Sequence, residues 1–250
     1  MITLEQIEQQ VLACRACPLV RNPVPGDGPS PADVMFVGQA PGKVEDRNRL
    51  TFSGPAGRVL REILTSLSYP VDEWYFTNTV KCYPGHGVGG DKVPPAGPTE
   101  TCFALHLVPE LTTVQPKLIV AIGAFTARVF GITGGINQNA GRVFDTPWGR
   151  VLCALHPAGV MRRPTDMAKF RTQFHRIKTE LEGATATPPF AEFEPETLMG
   201  VDIETQDNRT WSVGYATDKG MFAVRTEFLD LEEVVLVFHH AGFDMKYLGL

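Results

Sequence analysis

Four cysteines and a few polar residues at the ends of apolar runs carry the chemistry in this sequence. Cys14 and Cys17 form a C-x-x-C pair, a spacing that brings two sulfurs to one point and makes half of a zinc or iron–sulfur site. Cys82 and Cys102 can supply the other half, and spacing alone does not choose between the two metals. Cys153 lies inside the apolar run RVLCAL and reads as a core thiol. The other candidates sit in four short segments: GQAPG at 38–42, TFSGPAG at 51–57, TNTVKC at 77–82 and HPAGVMR at 156–162. In the first, the apolar run VMFVG stops at Gly38 and a polar turn follows. Such a turn offers backbone N–H groups to a ligand at the carboxyl end of a strand. It is not a P-loop, because no Gly-Lys-Ser/Thr follows Gly42, and it is not G-x-G-x-x-G.

These residues need elements to position them. Apolar strand candidates lie at 33–38, 74–80, 117–122 and 150–155, with helix candidates at 54–68, 98–114, 123–130 and 166–182. Short β runs alternating with helical patterns predict an α/β fold with a mostly parallel central sheet. In such a sheet the strand ends after 38, 77 and 155 share one rim, so Gln39, Asn78 and His156 can meet at one crevice. Thr3 and Gln6 make a capping box for a helix that leads into Cys14. The stretch 84–98 is a Gly/Pro-rich loop tied at both ends by Cys82 and Cys102. A linker is expected at 184–196, separating a first domain at 1–183 from a segment at 197–250. In that segment, strand candidates at 197–203, 210–216, 220–225 and 234–238 and a helix start at 241–250 suggest an antiparallel sheet.

Hydrophobic residues make up 43% of the chain and charged residues 20%, an ordinary globular composition. No apolar run reaches the ~18–20 residues that span a bilayer, and the polar start MITLEQIEQQ is not a signal peptide. The expectation is a cytoplasmic protein without a membrane partner, and disulfides are not the default there. Residues 1–190 hold 19 Lys+Arg against 16 Asp+Glu, and residues 191–250 hold 4 against 12, so the total of −5 hides a basic front and an acidic rear. Eight basic residues fall within 141–178. They form either a solvated helix face or a patch that meets phosphates.

The motifs and their order give residues 10–182 a family resemblance. CRAC, GQAPGKVED, TFSGPAG, TNTVKC, Cys102 and HPAGVMR resemble, one after another, the signature of the family-4 uracil-DNA glycosylases, the iron–sulfur branch of that superfamily. The resemblance implies a three-layer α/β sandwich that hydrolyses the N-glycosidic bond of a deoxyuridine flipped out of DNA. It implies that Gly38, Ala40, Phe52 and Asn78 hold the base, with Phe52 stacking and the Asn78 amide reading the uracil edge. His156 would donate to uracil O2 as charge develops there. Cys14, Cys17, Cys82 and Cys102 would hold a [4Fe–4S] cluster, and Arg162 and Arg163 would face DNA phosphates. Two residues depart from the family pattern: Gln39 replaces a glutamate and Thr51 a proline. An amide at 39 orients water but takes no proton from it, a loss of ~10²–10⁴ in rate if the family's carboxylate acts as general base. The departure leaves two readings, a glycosylase or a DNA- or uracil-binding module with weakened catalysis. A zinc-stabilised hydrolase of small molecules is a third.

The tail holds TLMGVDIET and FHHAGFDMKYL, which resemble the first two motifs of the 3′–5′ exonuclease of DNA polymerase I-type enzymes. The resemblance implies an incomplete RNase H-like α+β segment. Asp202, Glu204 and Asp244 would be part of a two-metal site for Mg or Mn, complete only with a further motif beyond residue 250. His240 stands where that family commonly has Asn. The joint pattern is that of phage-type fusions of a glycosylase-like unit to a polymerase, so a polymerase domain in the same longer chain is the expected partner besides uracil-containing DNA.

Overall fold

The computed structural model describes residues 2–19, 22–87, 90–183, 198–206, 209–217 and 220–224. The chain divides into two units, Met1–Pro189 and Phe190–Leu250. The first begins with α1 (Leu4–Ala13), β1 (Val34–Gly38), α2 (Lys43–Asn48), α3 (Pro55–Ser66) and β2 (Tyr75–Asn78). A two-stranded hairpin, β3 (His86–Gly87) with β4 (Gly90–Asp91), precedes α4 (Ala96–Cys102), α5 (Val108–Val114), β5 (Leu118–Ile122), α6 (Gly123–Val129) and α7 (Ile136–Asn139). Then come β6 (Val143–Thr146), β7 (Gly149–Ala154), α8 (Pro157–Arg162), α9 (Met167–Thr172) and α10 (His175–Gly183).

The central sheet has the order β2-β1-β5-β7-β6. Its first four strands are parallel, and β6 is an antiparallel edge strand. Every residue of β1, β2 and β5 is buried, which fits the continuous apolar runs of a sheet covered on both faces. Register aligns Gly38 with Asn78, Val37 with Ala121 and Ile122 with Ala154. The carboxyl ends of four strands therefore form one rim. Beneath it, Phe36 stacks on Phe76 at 4.9 Å, and Phe170, Phe174 and Ile177 close the core.

Local sequence explains most of the elements. Thr3 Oγ1 accepts from Gln6 N–H while Gln6 Oε1 accepts from Thr3 N–H, the reciprocal cap expected for α1. Pro55 and Pro157 stand in the first turns of α3 and α8, where a missing N–H costs nothing. Other expectations are corrected. The predicted helix 98–114 is α4 and α5 joined by a π-turn over Phe103–Leu107. Pro109 lacks the N–H that would bond Leu105, and Val108 N–H reaches back five residues to Phe103 O instead. The predicted helix 166–182 breaks between α9 and α10 at Gln173 and Phe174. The loop 84–98 contains the β3–β4 hairpin, and α2 and β6 were not foreseen.

In the second unit, β8 (Leu198–Gln206), β9 (Arg209–Thr217) and β10 (Gly220–Val224) form an antiparallel sheet in the order β10-β9-β8. Asp202 and Glu204 lie on β8, paired in register with Gly214 and Ser212. The expected linker 184–196, the strand 234–238, the helix start 241–250 and Asp244 lie outside the described residues. Among the described residues no helix is long and apolar enough to cross a membrane.

Candidate active site

Gly38 ends β1 against Asn78, so closely that a Cβ on Gly38 would lie 2.3 Å from Asn78 Oδ1 and 3.1 Å from Phe52 Cζ. Glycine is the residue that lets these three meet. Asn78 is buried, and its Nδ2 donates to Thr51 Oγ1 at 3.2 Å. Thr51, the departure from proline, therefore gives Asn78 a hydroxyl that proline lacks. Phe52 sits in the left-handed region at φ 52°, strained for an aromatic residue, and packs edge-on against Phe76 at 5.6 Å. Gly57 accepts that placement, since a Cβ there would strike Phe52 O at 2.1 Å.

The turn after β1 is tied on both sides. Gly38 O accepts from Thr79 N–H at 2.8 Å and from Thr79 Oγ1 at 3.0 Å, and Gln39 O accepts from Val80 N–H at 3.1 Å. Glu45, on α2, sends Oε1 to Gly54 N–H at 2.8 Å, and a Cβ on Gly42 would lie 2.8 Å from its Oε2. That carboxylate holds the 38–42 turn and the 51–57 loop together. The side chain of Gln39 donates from Nε2 to Lys92 O at 3.4 Å. A glutamate at 39 could only accept, and would face that carbonyl with no proton to give.

Asp91, at the end of β4, brings a carboxylate to the same turn. Its Oδ1 accepts from Tyr83 OH at 3.0 Å and lies 3.2 Å from His86 Nδ1, and its Oδ2 would be 3.4 Å from a Cβ on Gly42. Asp91 also reaches His156 electrostatically. His156 caps α8, and its Nδ1 accepts from Ala158 N–H at 3.2 Å. A backbone N–H can only donate, so the neutral ring carries its proton on Nε2. Protein mass around this solvent-open ring removes hydration, and that desolvation, followed by the charge of Arg162, pushes its pKa down to about 4 against the opposite pull of Asp91. The ring is thus a neutral donor at pH 7. Gly123, at φ 90°, gives it room, because a Cβ there would lie 3.2 Å from His156 Cβ.

The cysteines cluster in part. Cys82 and Cys102 are buried, Cys14 and Cys17 half-buried. Burial pushes the Cys102 thiol up to about 12, against the pull of Lys81, and both Cys82 and Cys14 act on it through space. Lys81 N–H donates to Cys102 Sγ at 3.2 Å. Among the described residues, no group of three or more His, Cys, Asp or Glu is drawn together tightly enough to hold a single metal ion. His106 stands nearby on the π-turn, 4% exposed, under the influence of Lys81. Both its ring nitrogens are buried without a hydrogen-bond partner among the described residues. Three thiols that act on one another, Cys14, Cys82 and Cys102, beside an orphaned imidazole are chemically suited to a sulfur-ligated group.

The basic run is mostly spent on the protein itself. Arg150 and Arg176 both bind the buried Glu180, Arg171 Nη1 donates to Ser66 Oγ, Lys169 to Asn137 O, and Lys178 pairs with Glu182. Arg162 and Arg163 are exposed just after His156, Arg163 lying 3.8 Å from Asp166. Two clefts, of about 690 and 440 Å³, lie elsewhere and include none of Gly38, Phe52, Asn78 or His156. Convergence of polar groups, rather than volume, marks the rim. Glu45 and Asp91 were missed in the sequence. Glu45 had a signal, the acidic pair after the turn, whereas Asp91 lies in a Gly/Pro-rich stretch with no periodicity.

A family model described as the uracil DNA glycosylase superfamily matches residues 25–182. The chain is 33% identical over 189 residues to a type-4 uracil-DNA glycosylase of Archaeoglobus fulgidus, covering 71% of this chain and 92% of that protein. With a type-4 uracil-DNA glycosylase of Pyrobaculum aerophilum it shares 31% identity over 180 residues, 67% of this chain and 89% of the relative. A DNA polymerase of Bacillus phage SP01 is 24% identical over 166 residues, 66% of this chain but 17% of the polymerase.

Proposed function

The chain belongs to the uracil DNA glycosylase superfamily, and from that premise we propose that it excises uracil from DNA by hydrolysing the N-glycosidic bond, with the rim described above as its active site. The observation that carries this reading is the junction of Gly38, Phe52 and Asn78, with the neutral donor His156 on the same rim. Phe52 stacks on the flipped base. Asn78 accepts from uracil N3–H and donates to O4, a pattern that cytosine reverses. As the C1′–N1 bond breaks, its electron pair leaves with the base, and His156 Nε2–H donates to uracil O2. Water adds to C1′, and its proton goes to the Asp91 carboxylate. Gln39 orients that water. The carboxylate absent from the turn is thus supplied by the hairpin that Gln39 itself holds.

Cys14, Cys17, Cys82 and Cys102 would hold the [4Fe–4S] cluster that the family kinship suggests. When bound, it would tie α1 to the strand exit that carries Asn78. Iron and acid-labile sulfide in the purified protein support this; zinc in their place contradicts it. Arg162 and Arg163 would meet backbone phosphates. Residues 197–250 are read as the start of an exonuclease-like segment in a longer polymerase chain. Asp202 and Glu204 on one strand and the phage polymerase match support it. The test of the main reading is excision from a uracil-containing oligonucleotide, read as alkali-labile sites, alongside Gln39→Glu. Cleavage by the wild type supports the enzyme. Cleavage only with Gln39→Glu supports instead a binding module with silenced chemistry.

A further inference from the structure

Gln173 lies in the break between α9 and α10 and is 5% exposed. Its neighbours in sequence, Phe170, Phe174 and Ile177, are core residues. Its Oε1 accepts from Leu155 N–H at 3.0 Å, while its Nε2 has no hydrogen-bond partner among the described residues. A buried amide with half its capacity unused carries a desolvation penalty that nothing in its surroundings offsets. Leu155 N–H is what the amide serves. Leu155 is the first residue past β7, where the parallel ladder with β5 has ended at Ile122 and Ala154. The next residue is His156. Because a backbone N–H only donates, the amide orientation of Gln173 is fixed by this bond.

We propose that Gln173 is a positioning residue for His156. It clamps the peptide that enters the histidine, so that the ring keeps both its Ala158 N–H bond and its outward Nε2–H. This rests on the role given to His156 above. The clamp couples the helical layer to the catalytic rim at a point 18 residues away in sequence. A shift of about 1 Å at such a point costs about 10²-fold in rate when the displaced group is a transition-state donor. A merely structural amide would affect melting and leave the chemical step alone.

The test compares full-length wild type, Gln173→Met, which keeps volume and loses the acceptor, and Gln173→Glu, which keeps an acceptor. Three readouts are taken: single-turnover excision at saturating enzyme, affinity for uracil-containing DNA, and the ¹⁵N ring signals of His156. Gln173→Met is expected to lose about 10- to 100-fold in the single-turnover rate with affinity little changed. Its His156 signals should lose the Nε2–H tautomer, and Gln173→Glu should restore most of the rate. An unchanged rate, or unchanged His156 signals in a folded Met variant, overturns the proposal. If Gln173→Met does not fold, hydrogen exchange of Leu155 in the wild type decides: protection matching β7 supports the clamp, and rapid exchange contradicts it. Wild type without excision would sink the glycosylase reading, while the histidine signals would still judge the clamp.

Discussion

Two polar groupings, one anchored on Thr77–Lys81 and the other at Asn78 and His156 on the rim, differ in how much hydrogen-bonding capacity they hold in reserve. In the first, Lys81 and Glu110 are each 1% exposed and meet at 2.6 Å. The ammonium also donates to Thr77 Oγ1 at 2.5 Å and Asn78 O at 2.8 Å, so its three protons are spent. Thr77 Oγ1 in turn donates to Glu110. In the second, Asn78 spends one amide proton on Thr51, and His156 holds Nδ1 in a bond while Nε2–H stays available. The closed network holds the strand exit still. The open one faces the rim with donors and acceptors to offer. Burial alone does not separate them, since Asn78 and Lys81 are both buried. The difference lies in valence left over.

Breaking the closed network should have the largest effect. Lys81→Met leaves Glu110 buried without its cation and should cost about 3–5 kcal/mol, read as a lower denaturation midpoint. A variant that melts like the wild type would show that the network is not closed. Changing the open side should instead leave folding intact. Asp91→Asn removes the carboxylate at the turn and should lower excision about 10²-fold or more with an unchanged melting curve. Because Gln39 already lacks that charge, Asp91→Asn with Gln39→Glu should recover part of the rate.

The smallest expected effect is in pH. His156 has a pKa depressed to about 4 in the folded chain, below its usual value near 6.5. The unfolded chain therefore binds its proton first. The contribution of His156 to stability is full above about 6.5 and is lost as pH falls towards 4. The donor stays neutral over the same window, so the acid limb of the excision rate should lie near 4. Arg162→Ala removes the charge that adds to desolvation in depressing it and should move that limb upwards. A limb already near 6.5 in the wild type would contradict the assigned environment.

Much of this was legible in the sequence. Continuous apolar runs marked the four parallel strands, a glycine turn marked the exit of the first, and TNTVKC and HPAGVMR marked two others. The rim followed, because parallel strands end together. Hairpin β3–β4 was not legible, because its strands are two residues long and its Gly/Pro composition reads as loop. Asp91 was hidden with it. Gln173 was hidden for another reason: it serves a backbone N–H far along the chain, and no spacing rule links residues 155 and 173. The density of the basic run 141–178 left two readings open, a solvated face or a patch that meets phosphates. Much of the run pairs with Glu180 and Glu182 or caps carbonyls, yet Lys169, Arg171, Arg176 and Lys178 stay exposed, as Arg162 and Arg163 do.

On the proposed function, the open rim performs uracil excision. The direct measurement is single-turnover release of uracil from a single-uracil oligonucleotide, by the wild type and by Asn78→Ala. The wild type should release uracil, and Asn78→Ala should lose about 10²-fold or more of that rate with equal melting. Excision that survives Asn78→Ala, or a folded wild type that releases no uracil, would contradict that reading.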